Sequence, residues 1–283
     1  MTRSSKGLIG AFAVSVAFGG MAVAGPDDDN LVVNDELQLI TETAAPEHME
    51  YIDTIYSGWR FRTDETQALQ LDDFDNPGML TVDKAIDAYS TVEGAAGESC
   101  ASCHGDVESF KGLHVAMPKV AENGQLVVME DLINTCRTER MQADAWKWSG
   151  QDMQGMVALI GHQSRGMPMN VPIDGAAAPF WEQGKELYYT KVGQLQMACS
   201  NCHEDNYGVM IRADHLSQGQ INGFPTYRLK NAKMNSSHGR FKGCMKNIRA
   251  TPYKEGGDEF KALELYLASR GQGLSVETPS VRN

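Results

Sequence analysis

The sequence predicts an all-α fold built as two similar helical halves, and three observations predict it. Apolar residues recur at helical spacing in matching stretches of each half. A Cys-x-x-Cys-His pentapeptide occurs twice, 99 residues apart, and no alternating strand pattern stands out in the 283 residues. Hydrophobic residues make up 42% of the chain and charged residues 22%, the balance of a chain with a real core. That excludes a disordered, collagen-like or polytopic membrane protein. The length leaves room for about two domains. Acidic residues outnumber basic ones 37 to 25, for a net charge of -12, and so acidic a chain lacks the basic face that nucleic acid requires.

Residues 1–24 read as a cleaved signal peptide. Arg3 and Lys6 form a positive start, Leu8 to Val23 is an apolar run, and Ala22-Val23-Ala24 is an A-x-A cleavage signal. Asp27, Asp28 and Asp29 follow where a membrane anchor would carry stop-transfer cations, so no membrane span is expected. The expected location is the periplasm. Residues 25–80 have no counterpart in the second half. Gly58, Pro77, Gly78 and Asp72-Asp73-Phe74-Asp75 suggest an extension of loop and short helix packed on the first domain.

The two domains are expected at 81–172 and 173–283. In the first, Val82 to Ala88 has helical spacing, Tyr89-Ser90-Thr91-Val92 follows, and the first pentapeptide is Cys100-Ala101-Ser102-Cys103-His104. Met156 to Ile160 then forms a closing helix that leads into Ser164-Arg165-Gly166. The second half repeats the order. Trp181 to Leu187, Tyr189-Thr190-Lys191-Val192 and Cys199-Ser200-Asn201-Cys202-His203 precede Leu263 to Leu267 and Ser269-Arg270-Gly271. Each closing helix is expected to end with Gly at its C′ position. A linker bearing Pro168, Pro172, Gly175 and Pro179 joins the halves.

Six cysteines in an exported chain would ordinarily suggest three disulfides. Two Cys-x-x-Cys-His copies argue instead for covalent c-type haem: two thiols form thioethers to the porphyrin and the adjacent imidazole ligates iron. Zinc would need its cysteine pairs within one small module. Two covalently bound haem c groups are therefore expected, anchored at Cys100, Cys103, Cys199 and Cys202, with His104 and His203 on the metals. Such a module is a small cytochrome c-like domain.

The second axial ligand comes from the remaining cysteines in the preferred reading. Cys136 follows Cys103 by 33 residues, Cys244 follows Cys202 by 42, and each precedes its own closing helix. Two rivals stay open: a Cys136–Cys244 disulfide, and methionine ligation through Met167, although the second half has no methionine after Met245. His114, His162, His215 and His238 read as packed or surface residues. Thiolate stabilises ferric iron and lowers the potential, which suits a chain whose cysteine or haem does chemistry.

From His215 to Lys254 there is no Asp or Glu in forty residues, while Arg228, Lys230, Lys233, Arg240, Lys242, Lys246, Arg249 and Lys254 are all present. Cys244 lies inside this tract. Neighbouring cations favour its thiolate and form a receptor for a small dianion, with Arg240, Lys242 and Arg249 as the substrate-binding candidates. A docking face for an acidic partner, or a cover for haem propionates, is the bland alternative. Cys136, with Glu130, Asp131 and Glu139 near Arg137 and Arg140, reads as structural.

Together, the two haem motifs, Cys136 and Cys244 at matching positions, and Arg240-Phe241-Lys242-Gly243-Cys244 resemble the dihaem SoxA family of the SoxAX cytochromes. Ser57-Gly58-Trp59-Arg60-Phe61-Arg62 and Asp72-Asp73-Phe74-Asp75-Asn76-Pro77-Gly78 also resemble that family's N-terminal segments. The resemblance implies an L-cysteine S-thiosulfotransferase that pairs with SoxX, a monohaem cytochrome. It also implies that thiosulfate is joined to a cysteine of SoxY in the SoxYZ carrier and that electrons pass to a downstream c-type cytochrome acceptor. It implies His104 and Cys136 as ligands of one haem and His203 and Cys244 as ligands of the other. Cys244 would be the catalytic cysteine, at times a persulfide, and Arg240 would bind substrate. The competing classes are a non-catalytic dihaem electron carrier and a dihaem peroxidase.

Overall fold

A computed structural model describes residues 30–212 and 214–283. The proposed leader, its cleavage site and Asp27 to Asp29 lie outside the described residues. The elements run β1 (Leu31–Val33), β2 (Leu37–Leu39), β3 (Glu42–Ala44), β4 (Thr54–Tyr56), α1 (Asp64–Ala68), α2 (Met79–Ser90), α3 (Cys100–His104), β5 (Lys119–Val120), β6 (Leu126–Val127), α4 (Met129–Thr135) and α5 (Gln151–His162). They continue with α6 (Ala178–Tyr189), α7 (Cys199–His203), β7 (Met210–Ile211), β8 (Asp214–His215), β9 (Thr226–Arg228), β10 (Lys233–Asn235), α8 (Ser237–Asn247), α9 (Asp258–Arg270) and β11 (Ser280–Arg282). Among the described residues, no helix is long and apolar enough to cross a membrane.

Two helix pairs hold the halves together: α2 packs on α5, and α6 packs on α9. Both crossings are close because a glycine sits at the contact. A Cβ on Gly184 of α6 would lie 2.1 Å from the Ala262 carbonyl oxygen of α9. One on Gly155 of α5 would lie 3.1 Å from the Thr81 carbonyl oxygen of α2. The core around α5 is rich in methionine (Met117, Met129, Met153, Met156 and Met234), whose unbranched thioether fills irregular gaps. Around α9 the core is aromatic, with Trp181, Tyr188, Phe241, Phe260 and Tyr266.

The fold is helical but not all-α. Among the described residues, short strands form five small sheets. The strands are two or three residues long, too short to print the alternation that marks a half-buried strand in sequence. The largest sheet has the order β10-β9-β11, with β11 parallel to β9 and Arg282 opposite Arg228. The last residues of the chain thereby lie beside the basic tract.

The N-terminal extension holds short strands besides its loops and short helices. It folds as two hairpins, β1–β2 and β3–β4, before α1. Its bonds reach both halves. Arg165 grips Asp73 at 2.5 and 2.7 Å in the first. In the second, the Tyr56 N–H donates to Gln218 Oε1 (2.8 Å) and Asn76 Nδ2 donates to the Pro279 carbonyl (2.8 Å). The expected helix ends also differ in detail. Helix α5 stops at His162, four residues before Gly166, which takes φ +85° in the turn beyond. Gly271 caps α9 at φ -93° rather than in the left-handed region.

Candidate active site

Each Cys-x-x-Cys-His motif is a single helical turn, which puts the two thiols three residues apart on one face with the histidine beside them. The first turn is held by a reciprocal cap. The Ser99 hydroxyl accepts from the Ser102 N–H (3.1 Å), and the Ser102 hydroxyl accepts from the Ser99 N–H (3.0 Å). In the second, Asn201 Oδ1 accepts from the Ala198 N–H at 2.9 Å. The tyrosines ending the preceding helices fasten the residue after each histidine. Tyr89 donates to the Gly105 carbonyl (2.9 Å) and Tyr189 to Glu204 Oε1 (2.8 Å).

His203 is oriented for ligation. Its Nδ1 lies 2.7 Å from the Ser217 carbonyl, so Nδ1 carries the hydrogen and Nε2 keeps its lone pair for a metal. Gly219, at φ +86°, lets the loop pass close over the ring: a Cβ there would sit 3.0 Å from His203 Cγ. His104 is exposed, and its ring packs 4.9 Å from that of Phe110.

Cys136 and Cys244 are not joined in a disulfide. Each of the two lone cysteines stands by the motif of its own half. The Cys136 charge acts on Cys100, and that of Cys103 acts on Cys136. The Cys244 charge acts on both Cys199 and Cys202. Met167 lies over Gly112 instead, its main chain bonded to Ser164 and Val276.

The two sulfurs differ electrostatically. Burial and the nearby Cys103 push the Cys136 thiol up despite Arg140 and Arg137. Arg137 is itself committed elsewhere, paired with Glu93 (2.7 Å) and stacked over Trp146 at 3.9 Å. Burial also works against the Cys244 thiolate. There, however, Arg240, a hydrogen bond and charge from His203, and Arg228 outweigh it and bring the thiol down to about 7. Arg240 lies four residues before Cys244 on α8 and so on the same helix face. Ser236 caps α8 by accepting the Gly239 N–H at 3.0 Å.

Of the sequence candidates for anion binding, the structure brings Arg240 to the sulfur. Lys242 instead pairs with Glu255 at 3.2 Å, and Arg249 is exposed at φ +58° in the turn after α8. Arg228 acts on the same sulfur, and Arg62 lies near Arg228 and Arg240. Arg228, on β9, donates from Nε to the Asn283 main-chain oxygen at 2.8 Å. Arg62, from the N-terminal extension, pairs with Asp214 and donates to the His215 carbonyl (2.7 Å). Burial and the repulsion of Arg282, Arg240 and Arg228 lower it to about 9. Among the described residues, neither Arg228 nor Arg240 forms an ion pair with an Asp or Glu side chain. Sequence reading had Arg228 within the basic tract but no signal to single it out, because its approach depends on the parallel pairing of chain segments far apart in sequence.

The surroundings fit a haem at the second motif. Tyr188 Oη and Arg270 Nε are buried without a hydrogen-bond partner, and both residues lie close enough to Cys199 to feel its charge. Donors of this kind suit propionates, and buried polar groups left unpaired are costly.

The family model for the SoxA/TsdA cytochrome c domain matches residues 84–169. The L-cysteine S-thiosulfotransferase subunit SoxA of Paracoccus pantotrophus is 54% identical over 99% of this chain and 98% of its own. The chain belongs to the SoxA family. The SoxA of Rhodovulum sulfidophilum is 51% identical over 100% of this chain and 99% of its own, and that of Pseudaminobacter salicylatoxidans 46% over 100% of both. A crystal structure of SoxXA from P. pantotrophus superposes with a TM-score of 0.88 at 56% identity, covering 90% of this chain and 98% of that one. A SoxA cytochrome c domain binds haem c covalently, and the thiols and imidazoles described above are the groups that such attachment uses.

Proposed function

We propose that this chain is the catalytic SoxA subunit of an L-cysteine S-thiosulfotransferase, working in the periplasm with SoxX to join thiosulfate to a cysteine of SoxY. The observation that carries the reading is the Cys244 sulfur, beside His203 and drawn toward thiolate by Arg240 and Arg228. Two haem c groups belong to it. Cys100 and Cys103 would anchor one, with His104 and Cys136 to hold its iron, and Cys199 and Cys202 would anchor the other, with His203 and Cys244 in the same roles. Haem c, when bound there, accepts electrons one at a time at a potential that thiolate ligation lowers.

The residues do the rest. Arg240 and Arg228 hold the sulfonate end of thiosulfate, the planar guanidinium matching paired oxygens. The Cys244 thiolate and the sulfane sulfur join through a new S–S bond, giving Cys244–S–S–SO3⁻ and releasing two electrons. The SoxY thiolate then attacks the sulfane sulfur, the bond to Cys244 breaks, and Cys244 leaves as thiolate with no further change in electron count. SoxX and a downstream c-type cytochrome carry the electrons away. Exposed Val209, Met210 and Ile211, a few residues past His203, give a partner cytochrome an apolar surface close to the second motif. The test is mass spectrometry of SoxY after incubation of SoxYZ and thiosulfate with the haem-loaded complex. A thiosulfate adduct on SoxY is expected with the wild-type chain and none with Cys244→Ser; adduct formation at the wild-type rate by that variant would overturn the reading.

A further inference from the structure

Between the halves lies a buried polar seam that the reaction above does not use. Glu130 of α4 and Gln154 of α5 enter from one side, and Ser237 of α8 and Glu264 of α9 from the other. With His114 they line a cavity of about 40 Å³, room for about two or three waters. Gln154 Nε2 donates to Glu130 Oε1 (3.1 Å) and to the Trp148 carbonyl (2.9 Å). Its Oε1, like His114 Nδ1, is buried with no partner. Unpaired acceptors around a polar cavity call for bound water.

The seam brings two carboxyl groups, Glu130 and Glu264, to one cavity. Glu264 accepts the Ser237 hydroxyl and has His238 Nε2 at 3.1 Å. His238 accepts the Gly256 N–H on Nδ1 at 3.0 Å; burial opposes its charge, but Glu264, Glu130 and Asp131 together draw its pKa up. His114 is kept uncharged by burial, its pKa down to about 4. Lys261 of α9 is taken by Asp131 at 2.8 Å, and α5 contributes only the amide of Gln154. Glu130 is 4% exposed and faces Glu264, with Gln154 and His238 offsetting only part of the repulsion. A fully buried carboxylate beside a second one favours its neutral form. Burial and the charge of Glu264 accordingly raise Glu130 to about 7.

The seam also has a fixed relation to the two lone cysteines. Glu130 stands six residues before Cys136, and His238 six before Cys244, about 9 Å along each helix. We propose that the seam is a proton-binding site, Glu130 holding the proton as a neutral carboxylic acid against bound water, and that its occupancy is linked to the oxidation state of the haem centres. This rests on the reading that Cys136 and Cys244 ligate those centres. An electron arriving at either adds negative charge near the seam and favours uptake of one proton from solvent onto Glu130; loss of the electron releases it. Linkage of this kind is reciprocal.

The test is redox titration of both haems in the haem-loaded complex across neutral pH. In the wild type, the midpoint potential of at least one haem falls as pH rises through about 7, because the proton that stabilises the reduced form is lost; in Glu130→Gln it stays flat. A flat wild-type profile, or a wild-type slope retained by Glu130→Gln, overturns the proposal. Should that variant fail to load haem, reduced-minus-oxidised infrared spectra of the wild type decide. A carboxylic-acid C=O band that responds to reduction supports the site, and no such band overturns it. Electron paramagnetic resonance of the same samples shows whether thiolate ligates each iron, so failure of the ligation reading is seen separately.

Discussion

At the scale of single residues, Cys136 and Cys244 show how the same side chain in matching halves acquires different chemistry. Burial opposes both thiolates, but only at Cys244 do nearby guanidinium groups, Arg240 and Arg228, together with His203 outweigh it. A charge-assisted contact to an oxyanion is worth about 2 kcal/mol, or roughly 30-fold in binding. Arg240→Ala and Arg228→Ala are each expected to raise the thiosulfate KM by about that factor while leaving both haem spectra unchanged. Steady-state kinetics with absorption spectra check this, and loss of the second haem in either variant would show a structural role instead. Lys242→Ala, which breaks only the pair with Glu255, should leave KM within about twofold, since exposed pairs of this sort contribute about 1 kcal/mol or less.

At the scale of elements, the close helix crossings make a graded prediction. Gly184→Ala drives a methyl onto the Ala262 carbonyl at 2.1 Å, and neither backbone can yield without parting α6 from α9. Gly155→Ala meets Thr81 at 3.1 Å, a contact that a small shift relieves. Overpacking costs of about 3 and about 1 kcal/mol follow, read as a larger fall in melting temperature for Gly184→Ala. The same elements show what the sequence makes legible. Val82 to Ala88, Met156 to Ile160, Trp181 to Leu187 and Leu263 to Leu267 all lie in helices, because a sustained 3.6-residue period writes itself over several turns. The motif turns are legible through their chemistry. The strands are not, because two or three residues hold no period. The pairing of β11 with β9 is equally hidden, since its partners are some fifty residues apart. For that reason nothing in the sequence singles out Arg228 from the rest of the basic tract, whereas Lys242 and Arg249 stand out by nearness in sequence to Cys244; in the structure one pairs with Glu255 and the other is exposed.

At the scale of the whole molecule, both ends of the described chain converge on the same cationic pocket. Arg62 arrives from the N-terminal extension, while Asn283 holds Arg228 from the C-terminal strand. Arg282 is tied to Glu277 at 2.7 Å and to Gln70 Oε1 at 2.5 Å. A chain of net charge -12 thus gathers guanidinium groups at one mouth, an arrangement that focuses small anions there against the general repulsion of the surface. The proposed function requires that one oxyanion reach one sulfur there, and that contact is what must be tested. The most direct measurement is the mass of the Cys244-bearing peptide from the haem-loaded complex, quenched during turnover with thiosulfate before SoxYZ is added. The account predicts added sulfur on Cys244 that disappears once SoxYZ is supplied; a Cys244 peptide unmodified throughout turnover would contradict it.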